Sequence, residues 1–204
     1  ARESVVFEQA MSTAPCTKPS VASLLTATEP PEHRVLDFMD KLPLELFSLA
    51  EVFEGAGYQT GAFVTNPLVG KQFNFNQGFR TFEDIPYDVD AEGVNRRVLP
   101  WVDSLQAGKP FFLYVHTLDP HIPYAPPMAF RRAWLRSWHK PSKGDRSEAV
   151  LRSTDPPDFQ ALSDALKRRS FQTDPLPIPQ ATYANLNALY QAELASNDAA
   201  FGAL

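Results

Sequence analysis

Lys109-Pro110-Phe111-Phe112-Leu113-Tyr114-Val115-His116-Thr117-Leu118-Asp119-Pro120-His121-Ile122-Pro123-Tyr124 is the stretch that decides the fold. Its apolar run from Phe111 ends on the β-branched Val115 without alternating with polar residues, the pattern of a strand buried on both faces of a parallel sheet. The run stops at a loop with two histidines and an aspartate, where Pro120 and Pro123 fix the backbone around His121. Ligands of open α/β sheets bind just past the carboxyl ends of the strands, so imidazoles there stand where a substrate would meet them. As a local pattern, a pair of structural histidines in a stiff loop fits as well.

Working outward, the flanks alternate in period. Val94, Val98, Trp101, Val102 and Leu105 mark an amphipathic helix that Gly108 ends just before the strand. Tyr58 to Val64 reads as a second strand, stopping at Asn66-Pro67. Leu42, Leu46, Leu49, Phe53 and Ala56 recur at helical spacing up to Gly57. Pro19 opens a helix that includes Val21, Ala22, Leu24 and Leu25, and Val5-Val6-Phe7 reads as a short strand. Tyr183, Leu186, Tyr190, Leu194 and Phe201 mark a final helix. This alternation predicts βαβ units, with residues 58–64 and 110–116 as parallel strands of one sheet. From about 139 to 180 six prolines and little periodicity predict an insertion or lid.

Composition narrows the class. The 204 residues, 44% hydrophobic and 21% charged, suit one globular domain. No apolar run is long enough to span a bilayer. The lone Cys16 excludes an intrachain disulfide and leaves the compartment open. Residues 131–170 hold ten Lys/Arg against five Asp/Glu, in a chain of net charge -5. That basic segment can attract an anionic substrate or can be a solvated surface, but it lacks the interleaved aromatics and glycines of a nucleic-acid binder. The opening at Ala1, without methionine, and the close at Leu204 inside a helix suggest a fragment.

Several blocks in order resemble the middle of a sulfatase domain of the alkaline phosphatase-like superfamily. Ala1 to Ala10 is similar to the lead into the nucleophile loop. Thr17-Lys18-Pro19-Ser20-Val21-Ala22-Ser23-Leu24-Leu25-Thr26-Ala27 resembles the sulfatase signature, and Glu29-Pro30-Pro31-Glu32-His33-Arg34-Val35 resembles the segment after it. Gly57-Tyr58-Gln59-Thr60, Asn76-Gln77-Gly78-Phe79 and the block at 109–124 are similar to one branch of the family. Tyr190, Glu193 and Asp198 match the helix before its second set of metal ligands. The resemblance implies a three-layer α/β/α sandwich with a mostly parallel sheet, incomplete at both ends. Residues 1–204 are then a single partial catalytic domain, with the lid at about 139–180.

It also implies a chemistry. A nucleophile at a helix N-terminus is served by free backbone N–H groups and the helix dipole, and a divalent metal, calcium or else Mg2+, Mn2+ or Zn2+, would lower its pKa. Counting back from Leu24-Leu25-Thr26 puts Thr17 at that place, as catalytic residue and sole metal-facing oxygen in this segment. The competing reading of Thr17 is a helix cap. His121 matches the family histidine that contacts the ester and its leaving oxygen, and His116 either lines the site or supports it. His33 is read as structural and His139 as a surface residue.

Two departures bear on the substrate. Typical sulfatases carry Cys or Ser, converted to formylglycine, and an Arg two residues after the proline. Here Thr17 and Val21 stand there, so no formylglycine is expected. The family's Gly-Lys-Trp-His segment is replaced by Val64-Thr65-Asn66-Pro67, which leaves Asn66 as the polar candidate for substrate contact, with Lys18 or Lys71 as compensating cations. The carboxylate ligands of the metal lie outside this segment. The expected function is metal-dependent hydrolysis of small-molecule or glycan sulfate or phosphate esters. A phosphodiesterase or phosphoglycerol/phosphoethanolamine-type transferase on the same fold is the first alternative, and a degenerate domain that binds anionic glycans is the second.

Overall fold

Strand β1 (Gln59–Val64) runs between β2 (Thr81–Asp84) and β3 (Phe111–His116), and both pairings are parallel. The register sets Gln59 against Phe111 and Val64 against His116, so the strands read at 58–64 and 110–116 are neighbours in one sheet, as the alternation predicted. The computed structural model of the chain describes residues 5–121, 124–138 and 180–204, the side chains of 134–138 and 180–186 excepted. The lid expected at 139–180, most of the basic segment and His139 therefore lie outside the described residues.

The chain forms two compact units, residues 1–89 with 96–117, and residues 90–95 with 118–204. In the first, β1 is buried from Thr60 to Val64, which explains its lack of alternation: both faces are covered. Successive side chains of a strand point to opposite faces. On one face the Trp101 ring of α4 (Ala91–Asp103) lies over Gly61, where an added Cβ would stand 2.6 Å from it, and meets Phe63 edge-on at 6.0 Å. On the other face Phe112 is stacked between Phe53 and Phe79, with ring centroids 4.6 and 5.7 Å apart. Phe53 belongs to α3 (Leu49–Gly55), and α1 (Thr17–Thr26) adds Val21, Ala22 and Leu25 to the same core. The unit is thus an α/β/α sandwich around a parallel sheet. A short helix α2 (Pro30–His33) packs on α1. Its His33 is fully buried, accepts the Val35 N–H at Nδ1 and therefore donates from Nε2 to Ser23 Oγ, the structural role read for it.

The second unit packs α5 (Met128–Trp138) against α6 (Gln180–Gly202). The buried face of α6 includes Ala188, Leu189, Ala192, Glu193 and Ala200, while Leu194 and Phe201 are exposed. The helical spacing predicted Leu194 and Phe201 on the buried face; the face instead turns toward Leu189 and the flanking alanines.

Other boundaries also move. Residues 5–7 form no strand and stand exposed, because a three-residue apolar run gains ladder bonds only where a sheet edge receives it. The helix read from Leu42 begins only at Leu49, where Ser48 and Glu51 form a reciprocal capping box. Leu42 is core, but its N–H donates to Phe73 O. Helix α1 starts at Thr17, two residues before Pro19. Strand β2 was not anticipated, since four residues ending in Glu83-Asp84 carry little apolar signal.

Candidate functional site

Three of the sequence candidates gather at one end of the first unit's sheet. Asn66 follows β1, His116 ends β3, and the register places Val64 opposite His116. The first turn of α1 is at the same end: Lys18 Nζ lies 3.1 Å from the centroid of the Phe73 ring, in the turns that follow β1, and α1 packs on the turn at Pro67–Val69. Thr17, Asn66 and His116 therefore share the carboxyl end of a parallel sheet, where α/β folds bind their ligands.

Thr17 is the first residue of α1, and the cap position belongs to Cys16, in extended conformation without a side-chain capping bond. The capping role is thus not the one Thr17 plays. Its half-buried hydroxyl has no hydrogen-bond partner among the described residues. The first-turn N–H groups of Thr17 and Lys18 have no carbonyl within the helix to bond, which leaves partial positive charge beside that hydroxyl. Cys16 is an exposed free thiol.

Lys18 points inward. Only 3% exposed, it donates to Phe38 O at 2.6 Å and sits over the Phe73 ring. Burial lowers its pKa, opposed by Asp40 and Asp37. Its ammonium is engaged by the protein's own groups. Lys71 is exposed, its Nζ 5.9 Å from the Phe82 ring centroid.

Asn66 is buried and uses Oδ1 to accept the Leu68 N–H at 2.9 Å, which leaves its amide N–H pair for other use. His116 is largely buried, and burial lowers its pKa. Its Nδ1 lies 3.0 Å from Tyr114 Oη, and burial pushes that phenol up to about 12, so it keeps its proton. The bond runs from the phenol or from the ring according to the tautomer, and in either case it holds Nδ1 and leaves Nε2 for other contacts. The backbone oxygen of His116 accepts both the N–H and the hydroxyl of Thr65, at 3.0 and 3.2 Å. The Tyr114 partner was legible in principle, since alternate strand residues share a face.

The second unit holds the rest of the aspartate-proline-histidine loop. His121 is exposed and its N–H donates to Leu118 O; the Asp119–Pro120 peptide is cis. Asp119 accepts the Ala91 N–H, and its backbone oxygen accepts from Asn197. Beside this loop Glu193 accepts the Ala125 N–H, and Tyr124 meets Tyr190 edge-on at 5.5 Å. Glu193 is 4% exposed, its Oε2 has no hydrogen-bond partner among the described residues, and burial raises its pKa to about 7 against the pull of Ala125 and Arg131. A folded-state pKa above the unfolded one, 4.5 for a free carboxyl, means stability fully present below that value and lost as pH rises through about 7. Thermal melts of the intact protein from pH 5 to 8 are expected to show that decline, and Glu193→Gln should flatten it. An unchanged slope in the variant would assign the decline to another group.

Among the described residues no three His, Cys, Asp or Glu side chains are arranged to hold a metal ion. Of the expected metal-facing atoms only Thr17 Oγ1 is present, and one hydroxyl is not a binding set. No helix among the described residues is long and apolar enough to cross a membrane.

A sequence profile of the Sulfatase family matches residues 1–131. No curated protein matches the chain. Among solved structures, a phosphonate monoester hydrolase of Agrobacterium radiobacter is similar at TM-score 0.64 and 16% identity, over 94% of this chain and 49% of its own. A protein solved with its substrate D-glucosamine-2-N,6-O-disulfate is similar at TM-score 0.65 and 14% identity, over 96% and 53%. A Bacteroides thetaiotaomicron protein of glycosaminoglycan metabolism is similar at TM-score 0.65 and 18% identity, over 98% and 47%. The chain spans about half the length of each. At these identities the likeness is one of fold.

Proposed function

Because this chain belongs to the sulfatase family, matched over residues 1–131, we propose that it is part of the catalytic domain of a sulfate or phosphate ester hydrolase whose nucleophile is Thr17 itself. The observation that carries this reading is the Thr17 hydroxyl, first in its helix, relieved of capping by Cys16 and without a partner among the described residues. Thr17 Oγ1 would lose its proton to water and form a bond to sulfur or phosphorus in line with the breaking bond to the leaving oxygen, and His121 would deliver a proton to that oxygen. A second water would then split the Thr17 ester to release sulfate or phosphate and restore the hydroxyl. The unpaired N–H groups of α1 would hold the ester's negative oxygens. His116, kept neutral by burial, would donate from Nε2 in the tautomer that carries its proton there, and Asn66 from its amide, without adding charge. Lys18 serves in this scheme to seat the first turn of α1 rather than to meet the ester.

Sulfatase-family relatives generally use a divalent metal. Here we propose calcium, with its carboxylates supplied from beyond the described residues; the residues in hand do not form such a site, and no step is routed through it. The transfer or diesterase alternative is favoured by Val21, which stands where formylglycine maturation needs arginine.

The test is turnover by the intact protein of 4-nitrophenyl sulfate, 4-nitrophenyl phosphate and bis(4-nitrophenyl) phosphate. Hydrolysis of at least one is expected, lost with a chelator and restored by a divalent metal. Preference for the diester would favour the alternative within the same chemistry. No turnover of any of them in the metal-supplied protein would leave the glycan-binding reading.

A further inference from the structure

One stripe of α6 holds the chain on both sides of His121. Tyr190, Glu193 and Asn197 recur at spacings of three and four residues, which puts them on one helical face. Tyr190 meets Tyr124 edge-on at 5.5 Å, Glu193 accepts the Ala125 N–H, and Asn197 Nδ2 donates to Asp119 O at 3.1 Å. Asp119 and Ala125 flank His121 in the chain. We propose that Glu193 and Asn197 are positioning residues that set the His121 imidazole to deliver its proton to the leaving oxygen, a role that rests on the hydrolase reading of His121.

His121 needs such support. It is exposed and its own N–H donates to Leu118 O at 2.8 Å, so burial does not hold its ring, and the course of the backbone is what carries it to a substrate. Asp119 is held a second time, because its carboxylate accepts the Ala91 N–H at 3.2 Å. Asn95, one turn further along α4, donates to Ala200 O of α6 at 2.6 Å. The start of α4 and α6 are thus joined to each other and to the residue before Pro120. Packing alone would not choose Glu193. A carboxyl only 4% exposed, with Oε2 unpartnered among the described residues, gives up hydration that one backbone N–H does not replace. An apolar side chain, like its buried neighbours Leu189 and Ala192, would fill the place without that cost. What the carboxyl supplies instead is an acceptor for the Ala125 N–H. A misplacement of about 1 Å at a reacting group can cost about a hundredfold in rate, so a fixed backbone there matters more than its contribution to stability.

The experiment measures kcat and KM of the intact protein on the phenyl and 4-nitrophenyl esters of whichever acid, sulfuric or phosphoric, it hydrolyses. 4-Nitrophenolate leaves without a proton, whereas the more basic phenolate needs one, so the phenyl ester is the one that depends on His121. Glu193→Ala and Asn197→Ala are each expected to lower kcat on the phenyl ester about thirtyfold with KM little changed, and on the 4-nitrophenyl ester less than about threefold. The ratio of the two esters is independent of how much protein is folded. Glu193→Gln keeps an oxygen for the Ala125 N–H and should stay within about threefold of the parent on both esters. In a His121→Ala background the alanine variants should cost nothing further, because the group they position is gone. Equal losses on both esters, or losses that persist without His121, would overturn the proposal. Amide exchange at Ala125, read by NMR, should quicken in Glu193→Ala, and unchanged exchange would overturn the proposal whatever the turnover. No hydrolysis by the parent protein would instead overturn the hydrolase reading, and the role of the two residues with it.

Discussion

Gly78→Ala is expected to lower stability by about 4 kcal/mol or more, enough to leave much of the protein unfolded. Gly78 has φ +77°, and a Cβ there would stand 2.1 Å from Glu51 N and 2.5 Å from Ala50 C. Those atoms are backbone in the first turn of α3, so no side-chain rotation can relieve the overlap. The local bonds would be lost with it, because Gly78 O accepts the Thr60 hydroxyl at 2.7 Å and Gln77 O accepts that of Ser48, which caps α3. Gly57 separates the two components of the effect. It has φ +86° but nothing within 4 Å of an added Cβ, so Gly57→Ala carries only the left-handed backbone penalty of about 1–2 kcal/mol. Urea denaturation of both variants is the measurement. Equal losses would mean that the chain at Gly78 does not approach α3 as closely as described.

That glycine illustrates what was legible in the sequence. The Asn76-Gln77-Gly78-Phe79 block could be recognised as a resemblance, but the reason for the glycine is a contact with Ala50 and Glu51, far along the chain. Strands with long apolar runs were readable because their signal is local, as Phe111 to Val115 shows; the cap of Ser48 with Glu51 is equally local, but the apolar spacing from Leu42 outweighed it. The short edge strand at Thr81–Asp84 was not readable, because its pairing to β1 supplies what its composition lacks. The site divided along the same line. Thr17 entered as a candidate only through the resemblance, counted back from Leu24-Leu25-Thr26, while the helix that begins at Thr17 was read two residues late, from Pro19. The inward turn of Lys18 could not be read, because it depends on Phe38 and Phe73. The hydrogen bond between Tyr114 and His116 joins residues two apart on one strand face, close enough to have been read.

Thr17→Ala is expected to reduce turnover by about three to six orders of magnitude, the range over which removal of a covalent nucleophile acts. The fold should scarcely notice. The hydroxyl is unpartnered among the described residues and Cys16 holds the cap, so the melting temperature should move by less than a few degrees, as for a loss under about 1 kcal/mol. Thr17→Ser keeps a hydroxyl at the same atom and should retain activity within about tenfold. Cys16→Ala, at an exposed thiol, should likewise change turnover by less than about tenfold, 1.4 kcal/mol. The pair tests which of two adjacent residues the chemistry uses. A formylglycine requires Cys or Ser with the proline two residues on; Cys16 has Pro19 three residues on, and Thr17 has the spacing without the chemistry. Mass spectrometry of the peptide covering residues 11–34 should therefore find an unmodified cysteine and threonine. An aldehyde at Cys16, or activity that follows Cys16 and ignores Thr17, would move the nucleophile one residue toward the N-terminus and place it at the cap of α1.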